Sequence, residues 1–203
     1  MERLLKQMDF LIEVDKLKNV LRRNYISDGS KRENDAEHSW YFSLAAMVLS
    51  EYSNNTIDVQ KVIRMAIIHD IVEVYAGDTF IYDEKAKEDQ MERERIAAEK
   101  IFSLLPEDQK TYFLELWNEF EENSTNESKF AKSIDRIVAV LLNLKSDGKA
   151  WKEQKITYSQ VDEINSKIAD GSEKLWLYIK EKLHEGKRTG LFYSNEPIST
   201  KHD

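Results

Sequence analysis

The sequence contains no cysteine, which removes disulfides, thiolate metal ligation and thiol chemistry from consideration and suits a reducing compartment. Only 6 glycines and 2 prolines punctuate its 203 residues, too few for a protein of many short strands and tight turns. Long apolar runs are missing too: residues 137–142 form one of the longest, far below the ~20 needed to span a bilayer. The opening residues, Met1-Glu2-Arg3-Leu4-Leu5-Lys6, are charged too often for a secretory leader. No concentrated basic face is visible either. The net charge is -8, with 30 Lys and Arg scattered among 38 Asp and Glu, so duplex nucleic acid is not an expected partner. These absences together describe a cytoplasmic chain with no membrane role.

What is present is a 41% hydrophobic, 33% charged composition, enough to build a core beneath a charged surface. Apolar residues recur at helical spacing almost throughout. A first segment shows it at Leu4, Leu5, Met8, Leu11, Ile12, Leu17, Val20 and Leu21. After a polar loop, a second helix starts at Asn34 or Asp35, both good N-caps, and runs to about Tyr52. Asp58 caps a third that ends before Gly77, and Pro106 opens one carrying Phe113, Leu116, Trp117 and Phe120. A further helix holds Phe130, Ile134, Ile137, Val138, Leu141 and Leu142, and shorter amphipathic segments follow around 161–168 and 175–183. No β-hairpin is expected. The fold class is therefore all-α, a helical bundle forming one domain over residues 1–185, with 186–203 as a loosely structured tail. The charge run from Asp83 to Arg95 reads as a solvated helix face, or alternatively as a lid.

The informative residues are polar ones on stripes that should be apolar. Phe42, Ala45 and Leu49 extend back one turn to His38. Ile63, Ala66 and Ile67 extend forward to Asp70, with His69 beside it, and Ala131, Val138 and Leu142 share their face with Asp135. A buried carboxylate without a partner is costly, so two Asp and two His on three inward faces call for a cation. Singly, each has a plainer reading. His38 could be a core or capping histidine, and Asp135 could pair with Arg64 or Arg136. Jointly those readings weaken, because the chain has 4 His and the other two, His184 and His202, sit in a polar helix end and the tail. Imidazole and carboxylate together suit a divalent metal such as Mn, Fe, Co, Ni or Zn. An octahedral shell filled only in part by protein leaves room for water and a substrate oxygen.

The order His38, His69-Asp70, Asp135 matches the H…HD…D pattern of the HD-domain superfamily of metal-dependent phosphohydrolases. Glu33-Asn34-Asp35-Ala36-Glu37-His38-Ser39-Trp40 resembles the "EN-x-AEHSW" helix start of the branch containing 5′-deoxynucleotidases. His69 to Asp78 resembles that branch's "HD-x-x-E-x-x-x-GD", and Lys132-Ser133-Ile134-Asp135 its "K-x-x-D". The motif-bearing core spans about 17–145. The resemblance implies an HD-domain bundle, often a homodimer, releasing phosphate from nucleoside 5′-monophosphates with one divalent ion, Mn, Co, Fe, Mg, Ni or Zn. It implies metal ligation by His38, His69, Asp70 and Asp135, catalytic carboxylates at Glu73 and Asp78, and substrate binding by Arg22, near the end of the first helix, with Arg23 adjacent. Tyr25 is the aromatic residue near that arginine, in a place that departs from the family's pattern.

Glu73 lies one helical turn after His69 and on its face, where it could manage the proton of an attacking water; taken alone it reads as a solvated helix end. Asp78 after Gly77 could equally cap a turn. Trp40 reads as core rather than as a stacking platform, and Lys31 and Arg32 could attract an anion. Two other functions remain open. One is an HD-type hydrolase of another phosphoester, although the GYP motif of cyclic-dinucleotide members and the "ED" motif of alarmone hydrolases are missing. The other is a non-catalytic, metal- or nucleotide-binding regulatory module.

Overall fold

The computed structural model describes residues 1–194; residues 195–203, and with them His202 and half of the expected tail, lie outside the described residues. The chain opens with α1 (Glu2–Val14), a 3-10 turn (Asp15–Asn19), and two strands, β1 (Leu21–Tyr25) and β2 (Arg32–Asn34). Then come α2 (Asp35–Leu49), α3 (Val59–Ile68), a 3-10 turn (His69–Val72), α4 (Glu73–Ala76) and α5 (Glu84–Lys87). Two long helices, α6 (Gln90–Phe102) and α7 (Glu107–Glu122), lead to the longest, α8 (Asn126–Lys145). The chain closes with α9 (Lys149–Glu153), α10 (Tyr158–Asn165) and α11 (Glu173–Thr189). Among the described residues no helix is long and apolar enough to cross a membrane.

Local chemistry explains the starts. Asn34 accepts from the Glu37 amide at 2.9 Å while the Glu37 carboxylate returns to the Asn34 amide at 3.2 Å, a reciprocal capping box. That cap makes Asp35 the first residue inside α2 rather than its cap, and Asp35 is fully buried. Asp58 caps α3, and Thr125 caps α8 with Ser128 answering. α8 is the axis of the bundle, packed by α2, α3 and α7, and Phe42 of α2, Phe102 of α6 and Phe130 of α8 itself are fully enclosed in the core. Each such ring contributes ~1.5–3 kcal/mol through burial.

Several expectations need correction. A hairpin is present: β1 pairs antiparallel with β2 (Leu21 opposite Asn34, Tyr25 opposite Arg32), with an irregular register between them. Its turn is built by polar residues, with Asp28 accepting from the Ser30 amide and Gly29 at φ +70°. Arg22 therefore sits on a strand, not at a helix end. The stripe on α1 is real but faces outward, since Leu4, Leu5, Met8, Leu11 and Ile12 are exposed and only Phe10 of α1 is buried. Trp40 is 67% exposed and is not core. On α3 the inward set is Val62, Met65 and Ala66, whereas Ile67 faces out. The start of the expected tail is also ordered. α11 continues to Thr189, Phe192 is buried and stacks on Trp151 at 4.8 Å, and the Tyr193 amide donates to the Ile156 carbonyl at 3.0 Å.

Candidate metal and phosphate site

Four elements bring the site together. α2 supplies His38 and Asp35 from its first turns, three residues apart on one face. The 3-10 turn after α3 tightens the chain so that His69 and Asp70 both point inward. α8 supplies Asp135 from its middle, and β1 supplies Arg22. Gly77, at φ +75°, ends α4 in a conformation that disfavours side chains. The reversal there returns Asp78 to within 4.0 Å of Arg22.

His38 Nε2 lies 2.9 Å from Asp135 Oδ1 and 3.9 Å from Asp70 Oδ2, and His69 Nε2 lies 3.0 Å from Asp70 Oδ1. One donor atom each from His38, His69 and Asp135 falls within 4.8 Å of the others. His69 Nδ1 is 3.0 Å from the Ala66 carbonyl, which accepts only. The proton therefore sits on Nδ1, and Nε2 carries the lone pair toward the site. Both Nε2 atoms are buried without a well-formed hydrogen bond despite the nearby carboxylates. Two ligand atoms each ~2.1 Å from a cation and at right angles are ~3.0 Å apart, which is the spacing of the His38–Asp135 and His69–Asp70 pairs. The donor set thus fits a divalent cation. Behind His38, Glu33 is buried with Oε2 3.6 Å from Nδ1, in the place of an orienting carboxylate. Phe42 and Phe120 pack edge-on to His69 at 5.2 and 5.1 Å and hold that ring.

A second group, Asp35, Glu73 and Asp78, also gathers three carboxylate oxygens within 4.8 Å. Between the two groups lies the Arg22 guanidinium, 2.6 Å from Asp70, 3.5 Å from Asp35 and 3.9 Å from Asp135 and from Glu33. The electrostatics follow from this crowding. Burial alone pulls the Arg22 pKa down, but Asp70, Asp135, Asp78 and Glu73 together reverse it and raise it well above its ordinary value. Burial, reinforced by the charge of Asp70, pushes Asp35 up to about 7. Glu73 is raised by burial and by Asp70 and Asp35, and Asp78 chiefly by burial. Asp70 is drawn down to about 2, because His69 and Arg22 outweigh its burial. Asp135 is also lowered, because its close contact with the His38 ring overcomes burial. Burial and Arg22 press His38 down, yet Asp135 and Glu33 lift it to about 9.

Two clefts open on this cluster. One, of about 580 Å³ of open space, runs from Arg22, Asp78 and Asp135 past Asn24 and Asn143 to Tyr82 and Trp151. The other, of about 830 Å³, is walled by His69, Asp70, Glu73, Glu94, Lys132 and Arg136. Of the residues singled out from sequence, His38, His69, Asp70, Asp135, Glu73, Asp78 and Arg22 converge, and Arg23 reaches the first cleft from its exposed side. Tyr25 turns to Glu153 instead, beneath Arg32 and Lys149, and Lys31 pairs with Glu37.

Sequence reasoning overlooked Glu33, Asp35, Glu94, Asn143 and Arg136. Asp35 had a signal, the three-residue step to His38, masked by its resemblance to a cap. The charge run is not wholly solvated. Glu94 is buried, and Arg93 donates to the carbonyls of Ala76 and Ala86 and to Thr79, fastening the 76–86 segment.

The model of the HD domain family matches residues 14–176. A solved structure of a predicted metal-dependent phosphohydrolase from Magnetospirillum magnetotacticum is 42% identical, covers 95% of this chain and 97% of its own, and superposes with a TM-score of 0.90. The human 5′-deoxynucleotidase HDDC2 is 33% identical over 135 residues, 66% of this chain, and the match spans about 65% of that relative's length. The Schizosaccharomyces pombe 5′-deoxynucleotidase hdd1 is 25% identical over 191 residues, 85% of this chain and 93% of its own. With a family model matched over most of its length, a near-complete superposition, and the histidines and aspartates of the motif drawn to one point, the chain belongs to the HD domain family.

Proposed function

We propose that this protein is a metal-dependent phosphohydrolase releasing phosphate from nucleoside 5′-monophosphates, deoxynucleotides included. The observation that carries the reading is the convergence of the His38, His69 and Asp135 donor atoms, with Asp70 against both histidines, beside a buried arginine at the head of a cleft. The names of the human and fission-yeast relatives support the substrate class.

In this reading the four residues hold one divalent ion, Mn, Co, Fe, Mg, Ni or Zn. When bound, that ion supplies charge neutralisation at the phosphoryl group and acidifies water. Arg22 binds non-bridging phosphate oxygens with Arg23 at the cleft mouth, and Arg136, which lines the same clefts and whose Nε is buried without a hydrogen-bond partner, adds charge. Water attacks phosphorus in line as the bond to the 5′ oxygen breaks. Glu73, buried with Oε2 unpartnered, takes the proton from the attacking water, and Asp78 delivers one to the departing 5′ oxygen. Asp35 and Glu33 fix Arg22 and His38 from behind.

Exposed apolar side chains on α1 (Leu4, Leu5, Met8, Leu11) and α2 (Trp40, Leu44) support a second copy of this chain as partner. The cysteine-free composition supports a cytoplasmic setting. The test is phosphate release from a panel of ribo- and deoxynucleoside 5′-monophosphates with added metal. Metal-dependent release is expected. Silence across the panel with metal bound rejects the reading in favour of another phosphoester or a binding role.

A further inference from the structure

We infer that the cleft beside Arg22 takes the nucleoside half of the substrate, and that the Asn24–Asn143 amide pair reads the polar edge of the nucleobase. This deepens the nucleotidase reading above and rests on it. Asp135, Ala139 and Asn143 stand four residues apart along one face of α8, and all three line the cleft. At ~1.5 Å rise per residue, Asn143 lies ~12 Å along the helix from Asp135. That is the reach of one mononucleotide with its phosphate at Asp135 and Arg22.

The orientation of the Asn143 amide is fixed by chemistry. Its Nδ2 donates to the Ala139 carbonyl at 3.0 Å and to Asn24 Oδ1 at 2.9 Å. A backbone carbonyl only accepts, so exchanging nitrogen and oxygen would set two acceptors against each other. Oδ1 is consequently the free end. It is buried, with no hydrogen-bond partner among the described residues, on a residue only 3% exposed. Such an acceptor is unfavourable unless a donor meets it. Asn24, its own Oδ1 engaged, keeps its Nδ2 hydrogens as donors. The pair therefore offers a donor and an acceptor side by side, the complement of a base edge that presents both. Phe80 and Tyr82, with ring centroids 5.2 Å apart, line the same cleft together with Trp151 and supply apolar faces for a planar ring.

A purely structural tie between β1 and α8 is the competing role, and it predicts equal damage to every substrate. The experiment compares kcat/KM for deoxynucleoside 5′-monophosphates with that for deoxyribose 5-phosphate, which keeps the sugar and phosphate but lacks the base. In Asn143→Ala, and separately in Asn24→Ala, the ratio should fall about 3- to 30-fold, mainly through KM. Because the ratio is internal to each variant, a partly folded preparation still distinguishes the two roles. Wild-type enzyme supplies a second measurement: free deoxynucleoside should inhibit hydrolysis of deoxyribose 5-phosphate, and deoxyribose at the same concentration should not. An unchanged ratio in both variants, or no inhibition by the nucleoside, overturns the inference. Wild-type silence on every ester refutes the nucleotidase reading itself, which separates the two failures.

Discussion

Replacing Arg22 by Met sets metal binding and catalysis against each other. This guanidinium, 15% exposed, faces Glu33, Asp35, Asp70, Asp78 and Asp135 at distances from 2.6 to 4.0 Å. Methionine keeps much of the volume and removes the charge, leaving buried carboxylates to repel one another. Breaking a buried ion pair from one side costs ~3–5 kcal/mol. At ~2–4 °C per kcal/mol for a chain of this size, Tm in chelator should fall by roughly 6–20 °C. Added Mn should restore most of that loss, since a ligand that binds only the folded state stabilises it in proportion to its saturation. The variant should also bind Mn more tightly than wild type, by about tenfold or more, because the guanidinium no longer competes for Asp70. Turnover should move the other way, down ~10²–10³-fold, through loss of a phosphate-binding cation. Thermal unfolding in chelator and across a Mn titration, with phosphate release on the same samples, reads all three quantities. A variant as stable as wild type in chelator, or one that binds Mn more weakly, would refute the charge-compensation argument.

Glu73→Gln should retain metal, measured by elemental analysis, yet lose ~10²–10⁴ in turnover; near-normal turnover removes Glu73 from proton transfer. Glu94 is raised from its ordinary 4.5 to about 7 by burial, with Glu121 and Asp70 adding repulsion. Its folded pKa exceeds the unfolded one, so its favourable share of stability is complete below pH 4.5 and lost as pH rises through about 7. Glu94→Gln should therefore stabilise at pH 8 by at most ~3 kcal/mol and leave stability near pH 4 unchanged. Denaturant midpoints at the two pH values check the sign. If the outward faces of α1 and α2 bind a second copy, Leu5→Glu or Trp40→Glu should halve the mass in sedimentation equilibrium, and unchanged mass argues against that surface.

The residues of the candidate metal site were legible because helical spacing carries them onto inward faces: His38 continues the stripe of Phe42 and Ala45, and Asp135 that of Ala131 and Val138. The hairpin was not, because Leu21-Arg22-Arg23-Asn24-Tyr25 shows no apolar alternation, and its strand is held by backbone pairing and by side chains that meet α8. Amphipathicity on α1 correctly marks a helix but does not say that its apolar face points away from the core. Ile67 was misplaced for a related reason. Ile63, Ala66 and Ile67 satisfy the spacing as well as Val62, Met65 and Ala66 do, and the neighbouring helices decide between them. Charged residues hid the remainder: nothing local separates buried Glu94 from the solvated acids beside it, and the step from Asp35 to His38 was masked by the resemblance of Asp35 to a cap.

The central claim is tested most directly by stripping metal with chelator and measuring phosphate release from deoxynucleoside 5′-monophosphates as Mn, Co, Mg or Fe(II) is restored, with Asp70→Ala alongside. Release that returns with at least one of these metals in the wild-type protein and never in Asp70→Ala is the predicted result. Release that survives chelation, or returns equally in Asp70→Ala, would contradict it.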